Sequence, residues 1–203
     1  MQSEKEEMDD RACAQWSAAL GVDVTVEMWR TCCAQTGMLS PSSSHRIIHF
    51  KFLHRTYRTP VRLSKAGLRD TDCCDRCHAE NANSLHFTWG SPEISGYWSK
   101  VANGLTEMVE FPVKLEPVVA LLGEVRRYPR HCRRFLPIAL LLTKRLVACR
   151  WGRGRAPTYK LWIADLIYCS GSQTGVRGPP GVHDTVPGGP RAPSRNLNVL
   201  HFL

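Results

Sequence analysis

The chain has 203 residues, with 27 Lys and Arg against 18 Asp and Glu, a net charge of +9. Hydrophobic residues at 43% and charged residues at 22% suit one folded domain or two small ones and exclude wholesale disorder. No apolar stretch approaches the ~18 residues that a bilayer span needs. The acidic opening MQSEKEEMDD has no secretory core, so the nine cysteines are expected in a reducing compartment, nuclear or cytoplasmic, as thiols or metal ligands rather than disulfides.

The predicted elements are helices. Arg11 to Leu20 reads as a short one stopped by Gly21, and Asp23 to Thr36 as a second ended by Gly37; the first ten residues read as an acidic disordered terminus. After the loop at 39–44, a third helix is predicted from about His45. Its apolar stripe is Ile47, Phe50, Leu53 and Tyr57, and Thr59-Pro60 breaks it. His45, His49 and His54 are placed on its surface or at its cap. A short turn follows at Leu63–Ala66, then an aperiodic segment, 70–91, holding a cysteine cluster.

The clearest helix begins at Ser91-Pro92, an N-cap followed by a first-turn proline, with Ile94, Tyr97, Trp98, Val101, Leu105, Met108 and Val109 on one face. A shorter helix is predicted at Pro117–Leu122. A long one should run to about Trp151 with Pro137 near its start, defining its first turn, and a last one should cover Thr158–Tyr168, with Leu161, Trp162, Leu166, Ile167 and, more weakly, Ala164 on its apolar side. Trp16, Trp29, Trp98 and Trp162 are assigned to the core. From Cys169, six Gly and five Pro in 35 residues read as a disordered tail. The fold class is therefore all-α: an irregular helical domain over 11–168, a loop of zinc-knuckle type at 70–91, and a Gly/Pro-rich tail over 169–203.

Charge is segregated. Residues 41–70 carry +6 and 121–160 carry +10, whereas 1–40 and 71–120 each carry −4. Clustered cations of this kind point to a polyanion. The denser block contributes Arg126, Arg127, Arg130, Arg133, Arg134, Lys144, Arg145, Arg150, Arg153 and Arg155 as candidate phosphate contacts. Interleaved Tyr128, Trp151 and Tyr159 are candidates for base stacking. The alternative is a solvated helix face over core aromatics. Lys51, Arg55, Arg58, Arg62, Lys65 and Arg69 allow the same two readings.

The sharpest motif is Cys74-x2-Cys77-x8-His86. Two cysteines two residues apart can face one ion from a tight turn, and a downstream imidazole supplies a third ligand, a donor set suited to zinc. Knuckle spacing puts the fourth position at Ser91, a poor ligand, so the loop reads as a degenerate Cys-Cys-His site. Cys73 and His78 are each adjacent to a ligand, which disfavours them geometrically. Idle or buried cysteines are the competing reading. His78-Ala79-Glu80 matches the His-x-Glu of zinc deaminases, but their cysteine pair must follow it rather than precede it. No phosphate-binding, dinucleotide-binding or nucleophile-elbow motif is present.

The run HRIIHFKFLHRTYRTPVRLSKAGLRDTDCCDRCHAENANSLHFTWGSPEISGYWSKV resembles the C-terminal, zinc-binding region of LINE-class, non-long-terminal-repeat retrotransposon reverse transcriptases. The landmarks are Thr59-Pro60 through Leu63, Cys74, Cys77, Leu85-His86, Trp89, Pro92 and Tyr97-Trp98, with the later LPIALLLTKRLVACRW and Trp162 to Leu166 also matching. The resemblance spans about residues 12–168. It implies a helical domain, zinc at Cys74, Cys77 and His86 with Ser91 where the family has cysteine, and RNA or single-stranded DNA ahead of duplex as partner. It also implies no catalysis, because that family's polymerase and endonuclease domains lie outside this region. The alternative functions are a relic without a selected role and a helical protein-interaction module.

Overall fold

The computed structural model describes residues 2–38, 42–152 and 154–173, and among these every regular element is helical. In chain order they are α1 (Gln2–Leu20), α2 (Val26–Met38), α3 (Ser43–Leu53), α4 (Pro60–Lys65), a π-helical turn at His86–Gly90, α5 (Pro92–Val109), a second π turn at Val118–Leu122, α6 (Arg130–Cys149) and α7 (Tyr159–Gln173). The all-α class is as the periodicities indicate. The Gly/Pro-rich stretch 174–203, and Arg153, lie outside the described residues.

Helix α6 is the hub, packing on α3, α5, α7 and the second π turn. Its Leu136, Ala139, Leu140, Leu142 and Val147 are buried in one continuous core with Ile48, Phe52 and Leu53 of α3 and with Val119–Leu122. Each buried Leu, Ile or Val side chain among them contributes about 2 kcal/mol of apolar burial. Helices α1 and α2 pair with each other, and α2 joins them to α3. The four tryptophans assigned to the core are buried, and each indole N–H has an acceptor: Asp9 for Trp29, and the Leu53, Thr88 and Ala139 carbonyls for Trp16, Trp98 and Trp162. Buried rings with a polar edge need such partners.

Several boundaries differ from the sequence reading. The acidic terminus is helical from Gln2, because Asp9 is buried and accepts from Trp29 Nε1 (2.9 Å) and Arg30 Nε (3.0 Å) of α2. Helix α3 stops at Leu53, and its inward face is rotated from the expected stripe: Ile47 and Phe50 are 49% and 50% exposed, while Ile48 and His49 are buried. His49 is thus a core residue rather than a surface one. Pro137 lies in the third turn of α6 rather than its first. Of the α7 residues expected on the apolar side, Trp162 and Leu166 are buried while Leu161, Ala164 and Ile167 are exposed; Tyr159, Ile163 and Cys169 also pack on the core, and the helix continues past Cys169 to Gln173.

Close approach of α5 and α7 depends on Gly104, which is buried with Tyr159 lying across it; a Cβ there would overlap Tyr159 Oη and sit 3.0 Å from two ring carbons.

Candidate metal centre and charged surfaces

The loop between α4 and α5 is held by short-range backbone bonds. Cys74 N–H donates to Ala79 O (2.9 Å), His78 N–H to Cys74 O (3.0 Å) and Ala82 N–H to Asp72 O (3.0 Å), closing a tight turn around the cysteine pair. His78 and Asn81 take left-handed conformations (φ 60° and 55°) to complete it. Asn83 then starts the π turn, its Oδ1 accepting from His86 N–H (2.9 Å) and its carbonyl from Phe87 N–H (3.0 Å).

Together these features bring Cys74, Cys77 and His86 into one group whose ligand atoms all lie within 4.8 Å of one another. Cys77 Sγ and His86 Nε2 are 3.3 Å apart, which identifies Nε2 as the imidazole nitrogen facing the sulfurs. Cys74 is fully buried, and the other two are half-buried. Desolvation pushes the Cys77 thiol up and the His86 imidazole down from their ordinary values. A bound cation would reverse the first effect, since metal ligation deprotonates a thiol. Two sulfurs and an imidazole nitrogen at this spacing can hold a borderline-soft metal ion. His78 is exposed in its strained turn and does not join the group, nor does Cys73.

Ser91 is fully buried one residue beyond the π turn, with its N–H donated to His86 O (2.8 Å). It starts α5 as expected, yet its hydroxyl makes no capping bond and has no hydrogen-bond partner at all. An orphaned buried hydroxyl beside the ligand turn fits a position shaped for something other than a cap.

Arg76, between the two cysteines, escaped the sequence reading. It is buried, its Nη1 donates to Phe87 O (2.8 Å), its guanidinium lies 4.0 Å from the Phe87 ring centre, and its Nε and Nη2 have no partner. A basic residue inside the Cys-x2-Cys gap is the only sequence signal for it. Its charge lies within electrostatic reach of Cys74 and Cys77 and suits thiolates there.

The candidate phosphate contacts divide. Arg126 is bound to Glu124 (3.0 Å) and Glu27 (2.9 Å), Arg127 to Glu116 (2.8 Å), and Arg145 to Asp165. Lys144 is only 1% exposed and cannot touch a phosphate; its position in the apolar seam of α6 turns it inward. There its Nζ donates to His49 Nδ1 (2.8 Å) and Leu121 O (3.3 Å), while His49 Nε2 lies 3.4 Å from Cys32 O. Arg130, Arg133, Arg134 and Arg155 are exposed and Arg150 is half-exposed, and none of the five pairs with a carboxylate among the described residues.

The stacking aromatics are occupied. Tyr128 is buried with its hydroxyl on Lys114 O (2.7 Å), Tyr159 packs on Trp162, and Trp151 stacks on Tyr57 and packs at a tilt on Phe87, at 4.5 Å each. They form internal contacts rather than a vacant platform for bases. No helix among the described residues is long and apolar enough to cross a membrane. Compared with known proteins, the chain matches no family model and no curated relative.

Proposed function

We propose that this chain is a non-catalytic nucleic-acid-binding domain of the kind found at the end of LINE-class reverse transcriptases, with zinc at Cys74, Cys77 and His86. The observation that carries this reading is the set of exposed arginines, Arg130, Arg133, Arg134 and Arg155, left without carboxylates while other cations of the same segment are internally neutralised. Uncompensated surface cations repel one another and are favoured where phosphates neutralise them. Zinc bound to two thiolates and an imidazole would crosslink the loop to the π turn and supply structure rather than chemistry. RNA or single-stranded DNA is placed ahead of duplex on the family resemblance.

The test is binding of labelled RNA, single-stranded DNA and duplex between 50 and 200 mM salt, with zinc content measured on the same sample. With four or five phosphate contacts, log affinity should fall against log salt with a slope of roughly −3 for single strands. Binding that is indifferent to salt would refute the reading. The exposed pair Ile47 and Phe50 on α3 favours a second reading, a helical protein-interaction module, which specific capture of one defined partner after nuclease treatment would support.

A further inference from the structure

The two basic blocks are far apart in sequence but meet at one place. Trp151, in the turn that follows α6, donates its indole N–H to Arg58 O (2.6 Å) across 93 positions. Its ring stacks on Tyr57 from the first block and packs at a tilt on Phe87 from the π turn, each 4.5 Å away. Cations cap both ends of this aromatic column, Arg76 over Phe87 at 4.0 Å and Lys51 over Tyr57 at 5.8 Å. Arg62 Nη1 reaches Tyr57 O (3.4 Å). Arg150 and Arg155 bracket Trp151 in the turn, which is pressed onto the cysteine loop: a Cβ on Gly154 would stand 2.9 Å from Asp75 O.

The chain thus brings the positions of Arg58, Arg62, Arg150 and Arg155 to one aromatic post, with no carboxylate paired to any of them among the described residues. The acid on the adjoining turn, Asp75, is already held by Arg69 at 2.8 and 3.2 Å. Burial, and then the charge of Arg62, push the neighbouring Arg55 guanidinium down, a sign of like charges gathered together.

We propose that this convergence, centred on Trp151, is a single docking surface for the sugar–phosphate backbone of a nucleic acid, built from both basic blocks at once. The inference rests on the nucleic-acid reading above and gives it a location. Because the column rings already pack on one another, they are not free to intercalate bases. Recognition is therefore by phosphate charge and spacing, and is insensitive to base sequence.

The experiment uses the full chain, zinc-loaded, with fluorescein-labelled 15-mers: oligo-U RNA, mixed-sequence RNA, mixed-sequence single-stranded DNA and a DNA duplex. Two double charge reversals are compared, Arg58→Glu with Arg155→Glu, and Lys100→Glu with Lys114→Glu on and just beyond α5, two exposed cations outside both basic blocks. All four positions are exposed, and retained helicity by circular dichroism verifies each fold. The first pair should weaken binding at least ~10-fold at 50 mM salt and flatten the log–log salt slope by about 1.5. The second pair should cost less than ~3-fold. The two RNAs should agree within ~3-fold.

Equal or greater loss from the second pair overturns the location. A tenfold preference between the two RNAs overturns backbone-only recognition. The duplex and single-strand arms tell which nucleic acid supplies the phosphates. Failure of the wild-type chain to bind any probe at 50 mM salt overturns the nucleic-acid reading itself, and this surface with it.

Discussion

Two polar constellations in this molecule use similar residue types and differ in what completes them. At the cysteine loop, two thiols, an imidazole and a buried guanidinium stand together over a small satellite core of Cys74, Ala82 and Phe87. Their hydrogen-bonding capacity is partly unmet, at Ser91 Oγ and at Arg76 Nε and Nη2. In the principal core, Lys144, His49 and the Cys32 carbonyl form a closed chain in which each polar group has a partner. The first could hold an ion supplied from outside; the second is satisfied by the fold alone. Burial by itself therefore does not mark a binding site. What marks one is converging ligand atoms with unmet bonding capacity beside them.

The contrast is broken most severely by removing a ligand. Cys74→Ser with Cys77→Ser, or a strong chelator, should release the loop while leaving the principal core intact. Amides of Cys74 and Phe87 should then exchange on the order of 100-fold faster, with those of Leu140 and Val147 unchanged. Equal acceleration throughout the chain would show that the loop and the core are one cooperative unit.

Ser91→Cys approaches the same site from the other side. It should bring zinc content from below one equivalent to a full equivalent, tighten zinc on the order of tenfold or more, and raise the melting temperature. No change in zinc content would separate Ser91 from the metal group.

The closed constellation predicts a smaller, pH-dependent effect. Burial pushes Lys144 down to about 7 from its ordinary value of 10.5. Between those values the unfolded chain binds more protons, so stability rises with pH. Buried Cys32, pushed up to about 12, acts in the opposite sense above about pH 8.5, and Tyr57 and Tyr97, also raised by burial, above about pH 10. Over pH 7 to 8.5 the Lys144 contribution is about 2 kcal/mol. Urea unfolding in excess zinc should show that rise in the wild type and its loss in Lys144→Met. Parallel slopes in the two proteins would assign the pH dependence elsewhere. His49, pushed down to about 3 by burial and then by Lys144, adds a loss of stability as pH falls below about 6.5.

Local chemistry was readable from sequence. Ser91-Pro92 marks the start of α5, and the Cys-x2-Cys-x8-His spacing finds the ligand group because turns of adjacent residues assemble it. Long-range choices were not readable. The rotation of α3 that exposes Phe50 and buries His49 accompanies a hydrogen bond to Lys144, 95 positions away. Arg126 is neutralised by Glu27 across 99 positions, and the acidic N-terminus folds because Asp9 meets Trp29 and Arg30. Charge counted along a chain cannot tell a paired arginine from a vacant one. The gathering of both basic blocks on Trp151 likewise emerges only in three dimensions.

Gly104 carries a consequence for sequence drift. Its neighbourhood, rather than its backbone angles, constrains the position: any residue with a Cβ would have to displace the single side chain of Tyr159. Trimming Tyr159 to a small residue would open position 104, whereas phenylalanine would remove the overlapping hydroxyl but leave two ring carbons at 3.0 Å, so that the ring would have to shift slightly. The two sites are therefore coupled. An alanine at 104 is harmful or tolerated according to what stands at 159, and the order in which the two substitutions arise decides whether α7 stays seated on α5.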